Sequence, residues 1–118
     1  MADQADARNI VLSLADTFED PDKYAFGVLR RGRPTGIMWA WMERVDPKAR
    51  KTPSRDVVAI RVAGEAEKAM LIAADPEKFF TEPHYRGFPA ILVRLAAIEL
   101  DELRELLTDA WRIQSGRA

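Results

Sequence analysis

The sequence predicts an α+β fold, a mainly antiparallel sheet with helices packed on one face. Three observations carry this. Two extended, aromatic-rich stretches flank the turn-like Arg31-Gly32-Arg33-Pro34. Two later stretches, 57–62 and 90–95, alternate in side-chain direction, and apolar residues recur every three or four positions near both ends of the chain. Hairpin-linked strands beside segregated helices belong to the α+β class. The expected order is α-β-β-β-α-β-α in one domain covering residues 1–118, long enough to bury roughly two thirds of its unfolded surface.

Residues 4–18 place Ala7, Ile10, Val11, Leu14 and Phe18 on one stripe, the pattern of a helix with one face on a core. Asp3 or Asp6 is expected to serve its amino-terminal end. Glu19, Asp20 and Asp22, split by Pro21, form a solvated turn. Residues 24–30 and 36–42 are the two strands of a hairpin. In the second, strict alternation puts Ile37, Trp39 and Trp41 on one face and Met38, Ala40 and Met42 on the other.

Residues 43–56 hold two prolines and most of the basic charge, so a long loop is expected there. The third strand, 57–62, turns Val58, Ile60 and Val62 inward and Val57, Ala59 and Arg61 outward. A short helix over 64–74 is expected to face the core through Ala66, Ala69, Met70 and Ala73. Asp75-Pro76 suits a cap followed by proline at the first position of a single turn that buries Phe79 or Phe80. Pro83, Gly87 and Pro89 fix the loop beyond. In the fourth strand Ile91, Val93 and Leu95 oppose Ala90, Leu92 and Arg94. The last helix, 101–113, carries Leu103, Leu106, Leu107, Ala110 and Trp111 as its apolar stripe, with Gly116 as a loose end. The second face of the sheet is expected to stay open, with Arg61 and Arg94 near a tryptophan.

The composition is that of an ordinary globule, with 47% hydrophobic and 31% charged residues and no cysteine. Thiolate chemistry and disulfides are therefore excluded. The acidic start, MADQADARN, lacks the features of a signal peptide and no apolar run is long enough to span a bilayer, so a cytosolic protein with no membrane partner is expected. Net charge is −1, yet residues 30–55 hold eight basic against two acidic side chains. A polarised surface is the consequence.

Three stretches together resemble the MmcQ/YjbR family, described as DNA-binding proteins: RRGRPTGIMWAWMERVDPK (30–48), LIAADPEKFFTEPHYRGFPAILVRL (71–95) and ELDELRELLTDAW (99–111). The resemblance implies an α+β fold likened to frataxin and to the double-wing DNA-binding domain. It implies less about activity, because fold does not fix function. Many members carry a pattern of the type G-x-P-x-F-x-V-x-G-K before the second strand. Here FGVLRRGRPTGIMW has Ile37 after Gly36 and no lysine, so Arg31 or Arg33 would have to take any role of that residue.

The leading expectation is a binding module contacting DNA weakly and salt-sensitively through Arg30, Arg31, Arg33, Lys48, Arg50, Lys51, Arg55, Arg61 and Arg94, provided these converge on one patch. Trp39 and Trp41 are candidates to stack on bases. The plainer accounts are a solvated basic loop and tryptophans packed in a core or under an arginine. A protein- or small-molecule-interaction domain using the exposed sheet face is the alternative, and it predicts a partly apolar pocket near Trp39 and Trp41. His84, the only histidine, is expected to make a structural hydrogen bond that pins its loop. As a general base it would need a titratable partner. Asp16, Glu19, Asp20 and Asp22 straddle a proline and make a poor cation cage. With no glycine-rich phosphate loop or partnered nucleophile, neither catalysis, nor a metal, nor a cofactor is expected.

Overall fold

The computed structural model of the chain describes residues 1–44 and 46–117; Val45, which the sequence places in the 43–56 loop, lies outside the described residues. Among the described residues three α-helices, α1 (Gln4–Leu12), α2 (Glu65–Ala74) and α3 (Leu100–Ser115), accompany six strands. These are β1 (Thr17–Glu19), β2 (Ala25–Arg30), β3 (Arg33–Glu43), β4 (Thr52–Arg61), β5 (Phe79–Phe80) and β6 (Ala90–Arg94). The sheet order is β1-β2-β3-β4-β6-β5 with every neighbouring pair antiparallel. The α+β class with an antiparallel sheet is as the sequence predicts.

The main core lies between the sheet and helices α1 and α3. Leu103, Leu106, Leu107 and Ala110 meet Val28, Met38, Val58, Ile60, Ile91 and Val93 there. The inward and outward faces of β4 and β6 follow the sequence alternation, since Val58, Ile60, Val62, Ile91, Val93 and Leu95 belong to this core, and Val57, Ala59, Ala90 and Leu92 to a second cluster. Gly116 closes α3 in the left-handed conformation, φ 77°. Phe79 and Phe80 are divided between the two faces, Phe79 in the main core and Phe80 in the second cluster.

Five expectations are corrected. The first helix stops at Leu12 rather than residue 18. Ser13 and Thr17 turn their hydroxyls onto the last carbonyls, Ser13 to Ile10 and Thr17 to Val11 and Leu14, which competes with further helix. Asp16 then takes φ 61° and the chain enters β1, an edge strand that carries Phe18 out of the helical stripe and opposite Gly27. At the helix start Asp3 and Asp6 act together as a reciprocal capping box.

In β3 the alternation breaks at a bulge. Phe26 pairs with Met38 but Gly27 with Gly36, so Ile37 is the extra residue, and it joins Met38 in the main core instead of lying with Trp39. The long loop is shorter than expected, because β3 runs to Glu43 and β4 starts at Thr52. Ser54 accepts the amides of Asp56 and Val57 at a second irregularity in the β3–β4 ladder.

Helix α2 does not use its alanines. Ala66, Ala69 and Ala73 are exposed and Met70 is 65% exposed, while Lys68, Leu71 and Ile72 make the contact. The helix meets β5 and the loop before β6 at the margin of the sheet, so a narrow i, i+3, i+4 stripe suffices. Finally, the second sheet face is not open over β4 and β6. The loop after β5 folds back across it.

Candidate functional site

The cover on the outer face is built from aromatics. Tyr85 is buried in the second cluster, and Trp39, Trp41 and Phe80 pack half-buried around it. Trp39 donates its indole N–H to the Tyr85 hydroxyl at 3.1 Å. Trp39 also meets Phe88 edge-on at 6.0 Å between ring centres, as Trp41 meets Phe80 at 5.8 Å. Each pair has an arginine on top. Arg61 lies 5.0 Å over Phe88 and Arg94 lies 4.1 Å over Phe80.

Both guanidiniums are further tied to backbone, Arg61 to the Pro89 carbonyl and Arg94 to those of Pro76 and Glu77. Burial lowers the Arg61 pKa below its ordinary value. The two outward arginines therefore lie over phenylalanines, not tryptophans, and hold the cover in place.

The pin of this cover is a lysine outside the sequence-based site. Lys68 of α2 is 3% exposed and donates to the Tyr85 carbonyl at 2.6 Å and the Phe88 carbonyl at 3.0 Å, with Glu65 3.3 Å away. His84, expected to supply that pin, is exposed and meets only the edge of Tyr85, at 5.9 Å between rings. A lysine on a short amphipathic helix reads as solvent-facing, so only the fold exposes this role.

Beyond Trp39 the cover ends, and over β1, β2 and β3 the outer face holds a trough of about 480 Å³. Among the described residues, no helix residue lines it. Gly27 and Gly36, paired across β2 and β3, leave side-chain space that aromatic rings enter. A Cβ at Gly27 would fall 2.8 Å from the Phe18 ring and 2.5 Å from the Thr35 carbonyl oxygen, and one at Gly36 would fall 3.5 Å from the Trp39 ring. Asp20 and Lys23 stand at one end of the trough, and Pro34 and Thr35 at the other. Phe18, Gly27 and Gly36 are absent from the sequence-based site, although an isolated glycine in a strand is a signal of close approach.

The basic residues do not converge. Arg30, Arg31 and Arg33 sit at the β2–β3 turn, where Arg31 and Gly32 both take positive φ, 53° and 78°, and Arg30 pairs with Arg33. Lys48, Arg50, Lys51 and Arg55 belong to the β3–β4 connection and the start of β4, at the opposite end of the eleven-residue β3. At ~3.3 Å per residue these two groups are roughly 30 Å apart. Arg61 and Arg94 form a third group, on the cover.

The expectation of one patch is thus corrected, because a single long strand separates the two loops that carry the charge. None of the ion pairs among the described residues involves any of these nine side chains. Arg30 is partly engaged, its guanidinium lying against Gly116 at the α3 terminus, where helix carbonyls favour a cation.

The amino-terminal acids have local partners. Glu19 takes a two-point contact from Arg8, at 2.7 and 2.8 Å, which holds its pKa below the usual range. Asp16 pairs with Arg117 at 2.6 Å, and Asp20 accepts the Asp22 amide. Among the described residues no group of His, Asp and Glu is arranged to hold a metal, and no helix is long and apolar enough to cross a membrane.

The fold and outer-face site define a small α+β protein whose sheet is covered by helices on one face and half-covered by a loop on the other. A sequence model of the YjbR family matches residues 12–113. The chain belongs to that family.

A crystal structure of Deinococcus radiodurans protein DR2400, a DUF419 domain, superposes with a TM-score of 0.73 at 18% identity, covering 99% of this chain and 81% of that one. It shares the fold. The uncharacterized proteins Mb2600 of Mycobacterium bovis and Rv2570 of Mycobacterium tuberculosis are each 52% identical over 63 residues, which is 53% of this chain and 49% of theirs. The match thus spans about half the length of these relatives.

Proposed function

We propose that, with its basic residues split into separate groups rather than one patch, this protein is a non-catalytic nucleic-acid-binding module of the cytosol whose primary phosphate contact is the tip of its β2–β3 hairpin. One observation carries the reading: Arg31 and Arg33 are exposed at a two-residue turn, with no ion-pair partner among the described residues. Arginine forks on such a projection match phosphate oxygens in two-point fashion. The 48–55 group is a second contact for ligands long enough to reach it. Arg61 and Arg94 take the lesser part, since their guanidiniums are committed to the cover.

The test is a gel shift over a salt series with wild type and the Arg31→Ala/Arg33→Ala double variant. Affinity should fall steeply with salt, and the variant should flatten the log–log slope by roughly 1 for each arginine removed. Binding that is absent at low ionic strength, or indifferent to salt, removes the reading. The trough favours a second reading, an interaction domain for a small apolar ligand or a protein, whose binding would survive loss of both arginines.

A further inference from the structure

We infer that the outer-face trough receives one unstacked nucleobase of a single-stranded nucleic acid, with Phe18 and Trp39 as its stacking surfaces. This rests on the nucleic-acid reading above and names the form of ligand. Four features of the molecule point to it.

The first is the pair of rings. Phe18 comes from β1 and Trp39 from β3, and each leans over the paired glycine of the strand surface, Phe18 over Gly27 and Trp39 over Gly36. Lowered in this way, the rings line the trough without filling it. Phe18 keeps 36% exposure, whereas Phe26 and Phe79, which face the main core, are 4% and 2% exposed.

The second is the difference between the tryptophans. Trp41 is closed off by Phe80 and Arg94, whereas Trp39 borders the trough. A stacking role falls to Trp39 alone, with Phe18 and not a second tryptophan as its companion.

The third is charge. Pro34 and Thr35 line both the trough and the depression formed by Arg30, Arg31 and Arg33. Gly36 and Arg33 are three residues apart on one strand, roughly 10 Å at ~3.3 Å per residue. A long arginine side chain spans the remaining distance to a phosphate attached to a base in the trough. An uncharged flat ligand would gain nothing from that neighbour.

The fourth is polarity within the trough. Its walls are mostly apolar, and the charged groups Asp20 and Lys23 lie together at the end away from the hairpin. One accepts and the other donates, which suits the edge of a base. A duplex hides that edge and both faces of the ring, so the trough selects single strands.

The experiment compares three labelled probes by fluorescence anisotropy at low salt: a single-stranded dT dodecamer, a duplex of equal length, and a dodecamer of abasic deoxyribose phosphate. Wild type should hold the dT strand roughly five- to hundredfold tighter than the abasic strand, the range expected of base–aromatic stacking. The duplex should behave like the abasic strand.

Gly36→Val places a branched side chain in the trough. Gly36 does not have positive φ, and a β-carbon there meets the Trp39 ring at 3.5 Å, an ordinary contact, so the backbone takes the substitution without strain and thermal unfolding checks that the fold is kept. This variant should lower dT affinity to the abasic level while leaving the salt slope intact. Phe18→Ala, at an exposed position, should lose most of the same preference without loss of fold, checked by thermal unfolding. Equal binding of dT and abasic strands with a normal salt slope would overturn the trough inference and leave the nucleic-acid reading standing. No binding of any probe at low salt would overturn both.

Discussion

Gly27 shows how one residue's lack of a side chain shapes the outer face. A Cβ there would press against the Thr35 carbonyl at 2.5 Å, and backbone cannot yield as a flexible side chain does. Gly27→Ala should therefore destabilise the protein by about 1–3 kcal/mol, the usual cost of overpacking, read from urea unfolding. Gly36→Ala, with room for its methyl group, should be far milder.

Lys68 is the complementary case, a lysine buried where the Tyr85 and Phe88 carbonyls both accept its ammonium. Lys68→Met keeps the apolar stem and removes the donors. It should cost about 1–3 kcal/mol for the lysine hydrogen bonds lost, since the Tyr85 and Phe88 carbonyls still accept the Phe88 and Ala90 amides, and proteolysis of the 82–89 loop should accelerate. Unchanged loop protection would show that the aromatic cover holds itself.

Tyr24 donates to the Gln4 carbonyl at 2.8 Å, and burial pushes its phenol pKa well above the ordinary 10.0. The folded state thus keeps a proton that the unfolded chain releases above about pH 10. Stability from this group is complete below that pH and declines as pH rises toward the folded value. Tyr24→Phe should lose the hydrogen bond but remove that part of the alkaline decline, measurable by chemical unfolding between pH 9 and 11.

Among the elements, β3 decides most. Its bulge at Ile37 sends two consecutive apolar side chains to the main core and resets the alternation, so Trp39 and Trp41 fall on the outer face. Deleting Ile37 should leave a regular ladder with Met38 still opposite Phe26 and Trp39 opposite Ala25, so Trp39 keeps its contact with Tyr85 while the core loses a fully buried side chain, at about 2–5 kcal/mol. Urea unfolding reads the cost, and a retained near-ultraviolet tryptophan signal checks the unchanged Trp39 contact. The hairpin is legible in sequence because Arg31-Gly32 leads into a proline that favours the strand edge. The bulge is not, since Gly36-Ile37-Met38 alternates as well as any regular strand. Strand β1 is equally hidden, as its three residues continue the helical spacing of α1 and are redirected only by the Asp16 turn and pairing with β2.

On the scale of the whole molecule, two layers flank the sheet unequally. Helices α1 and α3 bury the large core, and the loop after β5 covers half of the other face. Leu107→Ala, at a fully buried position, should cost about 2–5 kcal/mol by the measure of other core truncations. The charges also act at this scale. With β3 separating the hairpin arginines from the 48–55 group by roughly 30 Å, their contributions to binding should add without coupling. A short oligonucleotide should feel only the hairpin, and a longer one both. Strong non-additivity between Arg31→Ala and Lys51→Ala would show that one ligand bridges them closely.

Sequence alone determined the class of fold, the hairpin, the two faces of β4 and β6 and the stripe of α3, because each is written in local spacing of apolar residues or turn chemistry. It also singled out Trp39 and the arginines as the residues to watch. Which of them share a surface was decided only in three dimensions. Position along a chain does not encode that β3 holds its two basic ends apart, that Phe80 closes over Trp41, or that Phe18 crosses to Gly27. Those outcomes come from pairing between distant segments, where contact depends on register and twist, not on neighbours in sequence.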